Sequence, residues 1–157
     1  VAVVNGRLAG FEIKSDADRL DRLPQQVRYY GQIFDDACVV CAPRYSEIVL
    51  RRLPGWWGVW IADGLADKVV LRVLRAAGPN PAPNPAARVA LLWRGEMGRA
   101  LVANGAPPSV LRLPRQRLIA ELLDRLDEEA LADEVRAALR ARNWRAPARA
   151  RFMAWPA

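Results

Sequence analysis

Histidine is absent from the 157 residues. That excludes Ser-His-Asp and Cys-His catalysis, His-ligated zinc and His general bases within this chain. Lysine is nearly absent: Lys14 and Lys68 stand against 22 arginines, so each lysine draws attention. Cysteine occurs twice, in the apolar run Cys38-Val39-Val40-Cys41. Two thiols make neither a zinc site nor a disulfide framework. Strand alternation points them to opposite faces, so they read as buried structural cysteines of a reducing, cytoplasmic protein. No apolar run approaches the ~18 residues of a membrane helix, and no membrane partner is expected. Val1 to Val4 is too short for a signal peptide and lacks a basic start.

What is abundant is positive charge. The net charge is +7 and the pI about 10.4, so a polyanion is a natural partner, because arginines that neutralise phosphates release counterions. At 52% hydrophobic and 26% charged residues, the composition suits a folded domain with a core.

The first half alternates strand and helix patterns. Val1 to Val4 reads as a strand, Asn5-Gly6 as a hairpin turn, and Phe11 to Ser15 as a returning strand. Ser15 or Asp16 is expected to cap a helix whose stripe is Leu20, Leu23, Val27, Tyr30 and Phe34, with Pro24 kinking it or opening a second helix. Ala37 to Ala42 suits a buried strand, Tyr45 to Leu53 a short helix, and Trp56 to Ala62 and Val69 to Leu74 two further strands. Trp56, Trp57 and Trp60 read as core rather than as base-stacking platforms. Residues 1–77 thus form an α/β core. Residues 78–86 hold four prolines and read as an extended linker. Residues 87–157 are helical in pattern and basic. The chain opens in a strand without a Met, so a piece upstream of Val1 is expected.

Glu12-Ile13-Lys14 places a carboxylate and an ammonium on one strand face. Phosphodiester hydrolysis uses such a pair: the carboxylate holds a hard cation, the cation lowers the pKa of a bound water, and the lysine orients that water or stabilises developing charge. Alone, the pattern is also that of a solvated ion pair. Its context resembles the PD-(D/E)XK nucleases, in which (D/E)-x-K follows a hairpin like residues 1–14. Gln26-Val27-Arg28-Tyr29-Tyr30 resembles the Gln-x-x-x-Tyr signature of the RecB-like branch, and Gln25 with Tyr29 fits the same spacing. Glu12 to Leu20 is similar to the corresponding run of the VRR-NUC nucleases. The resemblance covers about residues 1–42. Leu91 to Glu96 and Arg142 to Arg145 resemble parts of a bacterial family that carries this same core.

The resemblance implies a restriction-endonuclease-like α/β fold, a central mixed sheet flanked by helices, with a C-terminal helical portion. It implies a metal-dependent deoxyribonuclease using Mg²⁺ or Mn²⁺, with Glu12 as metal ligand and Glu12, Lys14, Gln26 and Tyr30 as the catalytic group. DNA is the implied partner, and Arg19, Arg22, Arg28, Arg115, Arg117, Arg142 and Arg145 are the arginines expected to contact it. One departure is plain: residues 1–11 contain no Asp or Glu, so the family's first acid is expected upstream of Val1. Without it, the alternative is a non-catalytic nucleic-acid-binding or interaction protein that keeps the fold.

Overall fold

A computed structural model describes residues 1–64 and 68–142. Strand β1 (Ala2–Asn5) turns at Gly6 into β2 (Arg7–Lys14). Gly6 takes φ 70°, a left-handed conformation that a glycine adopts at little cost. Helix α1 (Leu23–Ile33) leads to β3 (Asp36–Cys41), a 3-10 turn (Pro43–Tyr45) and α2 (Ser46–Arg52) lead to β4 (Gly58–Asp63), and β5 (Val70–Arg75) returns beside it. The five strands lie in chain order. Both outer pairs are antiparallel, and β2, β3 and β4 are parallel. The chain is therefore α/β, as the alternation of patterns led us to expect, and its sheet is mixed.

The second half supplies α3 (Pro85–Val89), α4 (Arg94–Ala103), a 3-10 turn (Pro108–Arg112), α5 (Arg115–Arg125) and α6 (Glu128–Ala141). These helices do not stand apart. Val89, Leu92, Met97, Leu101, Leu118 and Leu122 share one apolar core with Leu8 of β2 and Ile33 of α1. A second core joins Leu23, Val49 and Leu53 to Val39, Trp57, Val59 and Ile61. Trp57 is fully buried against Tyr30 and Trp56, as a core residue. Both cores draw on the same sheet face. The opposite face carries Phe11, Val40 and Trp60, with Ile13 56% and Val73 54% exposed.

Three expectations need correction. Helix α1 begins at Leu23, not after Ser15, because the Asp18 carboxylate closes a local turn by accepting from the Ser15 amide (2.8 Å) and hydroxyl (2.6 Å). Pro24 sits in the helix's first turn, where its missing N–H has no partner to lose. The returning strand is longer than Phe11 to Ser15, running from Arg7. The proline-rich stretch is extended but pinned: Asn80 Nδ2 donates to the carbonyls of Gly31 (2.7 Å) and Phe34 (2.8 Å), and the Asn84 side chain caps α3. The boundary at residue 78 marks a change of composition, not of packing.

Close packing of β2 on α1 depends on Gly10. A Cβ there would lie 2.5 Å from the Phe34 ring. Gly10→Ala is expected to lower stability by about 1–3 kcal/mol, the usual range for overpacking, as read by urea unfolding. Pairing with Phe34→Leu, which frees the space, is expected to recover part of it.

Candidate functional site

The pleat of β2 turns Leu8, Gly10, Glu12 and Lys14 toward α1, so the carboxylate and the ammonium meet under that helix. Lys14 Nζ lies 2.9 Å from Glu12 Oε1, with the two side chains only 7% and 13% exposed. One turn of α1 brings two further donors to the same carboxylate. Gln26 Nε2 donates to Oε1 at 2.5 Å, and the Tyr30 hydroxyl donates to Oε2 at 2.9 Å. The four residues expected to act together are thus brought together. The alternative register is settled as well: Gln25 and Tyr29 bond to each other on the exposed side of α1 (3.2 Å).

The Tyr30 hydroxyl is held protonated. Burial raises its pKa first, and its hydrogen bond to the Glu12 carboxylate raises it further. It is a fixed donor rather than a proton carrier. Cys38 and Cys41 are free and buried, and burial pushes the Cys38 thiol up to about 12. Neither thiol is a nucleophile at neutral pH.

A divalent cation fits this cluster poorly. Magnesium takes oxygen ligands in octahedral geometry and is usually held by one or two carboxylates. Both oxygens of Glu12 already accept hydrogen bonds, and an ammonium stands 2.9 Å away. Gln26 Oε1 is buried without a donor, but it is a single neutral oxygen. Among the described residues no group of three or more His, Cys, Asp or Glu could hold a metal. What the arrangement does chemically is neutralise and lock a buried pair between β2 and α1.

The arginines divide into two kinds. Arg142 is a correction to the expected DNA contacts: its guanidinium pairs with Glu96 at 2.6 Å, donates to the Leu91 carbonyl and lies over the Trp93 ring, with the side chain only 10% exposed. Burial would raise the Glu96 pKa, but the Arg142 hydrogen bond and the Trp93 amide outweigh it and hold the carboxyl below its ordinary range. Arg115 is likewise spent on carbonyls, those of Ala90 and Leu92. Arg19 is exposed but matched by Asp21 at 2.8 Å. Arg145 lies outside the described residues. Arg22, Arg28 and Arg117 are exposed and carry no ion pair among the described residues.

Two features were not anticipated from the sequence. Asp35 receives Arg88 (2.5 Å) and Arg136 (3.6 Å) from the second half and the Leu8 amide (2.7 Å) from β2. Exposed Arg52 at the end of α2 stands with Arg28 beside an apolar pocket. The Asp35-Asp36 doublet before an apolar strand was the only signal for the first, and nothing in the pattern marked the second.

The model of the family described as Bacteriophage P4 protein cII matches residues 1–150. The chain belongs to that family. Protein cII of Enterobacteria phage P4 is 41% identical over 59 residues, which cover 38% of this chain and 22% of that protein. The chain thus spans about a fifth of the length of the curated relative it matches. No solved structure matches it. Membership of the cII family overturns one expectation. The sequence pattern led us to expect a metal-dependent deoxyribonuclease, but the family and the relative bear the name of a phage protein and not of a nuclease, so the enzyme assignment is withdrawn. No helix of the described residues is long and apolar enough to cross a membrane.

Proposed function

We propose that this cII-family chain is a non-catalytic nucleic-acid-binding protein built on a restriction-endonuclease-like core, with DNA as its partner. The observation that carries the reading is surplus arginine. Exposed Arg22, Arg28, Arg52, Arg112 and Arg117 have no ion pair among the described residues, while neighbouring acids are matched, Asp21 to Arg19 and Glu47 to Arg51. Unpaired guanidiniums contribute little to the fold, and they are suited to phosphate. The core assignment draws support from the hairpin β1–β2, the parallel strand β3 and the meeting of Glu12, Lys14, Gln26 and Tyr30. In this reading the cluster keeps an inherited geometry and serves the fold.

The test is fluorescence anisotropy of a labelled duplex across a salt series. We expect binding at low salt that weakens steeply, with a log–log slope of about −0.9 per phosphate neutralised. No binding of duplex or of a single-stranded oligonucleotide at low salt, or a slope near zero, ends the proposal. A second reading, a protein-interaction module, rests on the open sheet face with Ile13 and Val73, since contiguous exposed apolar surface marks interaction sites. Loss of a partner on Val73→Arg, with duplex binding absent, would favour it.

A further inference from the structure

The start of α1 and the end of α2 enclose a pocket of about 530 Å³ lined by Leu23, Pro24, Val27, Arg28, Arg52 and Pro54. Its aliphatic lining is Leu23, Pro24, Val27 and Pro54, and its two polar side chains are guanidiniums. Neither Arg28 nor Arg52 has an ion pair or hydrogen bond among the described residues, and the nearby acids Asp21 and Glu47 are held by Arg19 and Arg51. The first turn of α1 carries no acidic residue, so its positive dipole end is not offset there. The site is therefore an apolar concavity with uncompensated positive charge at its rim.

We propose that this pocket takes one unstacked base of a single-stranded nucleic acid, with Arg28 and Arg52 holding the flanking phosphates. The volume falls in the range of ligand sites, roughly 300–1,000 Å³. A flat aromatic base gains by leaving water for proline and valine surface and for the planes of arginine side chains. A base within a duplex is stacked and cannot enter a hole of this shape. A neutral apolar ligand would leave two guanidiniums unused, and a free inorganic anion would leave the apolar floor unused. The proposal rests on the nucleic-acid reading above and adds to it the strand state and the contact residues.

The test compares a labelled oligo(dT) of about 15 nucleotides, within the usual site size of single-strand binders, with an abasic strand of equal length and with duplex DNA. Oligo(U) serves as the RNA arm. The proteins are wild type, R28A/R52A and, as a control in α5, R125A, whose guanidinium pairs with Glu121, each checked by circular dichroism. We expect oligo(dT) or oligo(U) to bind wild type at least roughly tenfold tighter than the abasic strand. We expect R28A/R52A to lower the oligo(dT) salt slope by about 1.4, from two phosphate contacts at ~0.7 each, with a smaller change on duplex and little change in R125A. Equal binding of the abasic strand overturns the base pocket. So does unchanged oligo(dT) binding by R28A/R52A, which would leave the broader reading standing if wild type still binds duplex. Failure of wild type to bind any of these probes overturns both.

Discussion

Glu12→Ala is expected to lose about 3–5 kcal/mol of stability, the usual cost of leaving one partner of a buried ion pair uncompensated. The loss is concentrated because three residues depend on one carboxylate. Lys14, with a side chain 7% exposed, would keep a buried ammonium without a counter-charge. The Gln26 amide and the Tyr30 hydroxyl would each lose their acceptor, and an unmade buried hydrogen bond costs about 1–3 kcal/mol. A domain of ordinary stability, about 5–15 kcal/mol, could be largely unfolded by this one change. Glu12→Gln keeps an acceptor and should fall between. Glu12→Leu with Lys14→Met removes both charges and should be far milder than Glu12→Ala, since apolar replacement of a whole buried pair is often neutral. Urea unfolding followed by circular dichroism reads all three. A Glu12→Ala protein whose midpoint stays near wild type, or a double variant no better than the single, would show that the cluster does not serve the fold.

Much of this cluster was legible in the sequence. Alternation alone places Glu12 and Lys14 on one face, and a spacing of four places Gln26 and Tyr30 on one side of a helix. What spacing could not tell was the outcome of their meeting. The four groups satisfy one another, because Lys14 and the α1 donors take both oxygens of Glu12, the residue expected as metal ligand. The start of α1 was misread for a local reason. Asp18 competes for Ser15 as a turn, and such side-chain bonds offer the backbone an alternative to a helix start. The prolines of residues 78–86 rightly excluded helix and inner strand, but Asn80 and Asn84 reach carbonyls and amides whose positions only the folded chain defines. Arg142 shows the limit of reading charge. In sequence it looks like its exposed neighbours, and only its pairing with buried Glu96 under the Trp93 ring removes it from the surface.

Asp35→Ala is expected to be about as damaging as Glu12→Ala, again about 3–5 kcal/mol, and for a reason that lies between the two halves of the chain. Asp35 follows α1 and precedes β3, where the second half meets the sheet. Arg88 of α3 reaches it at 2.5 Å and Arg136 of α6 at 3.6 Å, while the Leu8 amide of β2 donates to it at 2.7 Å. Arg88 is the more committed arginine. It is 8% exposed, and its Nε also donates to the Ile33 carbonyl at 2.8 Å. Without Asp35 it would hold a buried charge against a single carbonyl. Arg136 keeps a second partner in Asp133 at 2.7 Å, so Arg136→Ala should cost less than Asp35→Ala, and Asp35→Asn should fall between because it still accepts from Leu8. The same joint bears on truncation. Removing residues 88–157 takes away Arg88 together with Val89, Leu92 and Leu101, and exposes Leu8 and Ile33. That shortened chain should therefore lose cooperative unfolding rather than survive as a separate nucleic-acid-binding core. The control is Asp21→Ala, an exposed pair partner expected to stay within about 0.5 kcal/mol of wild type. If Asp35→Ala costs no more than Asp21→Ala, the two halves are held by apolar contact alone, and the Arg88–Asp35–Arg136 contact is a by-product of their packing.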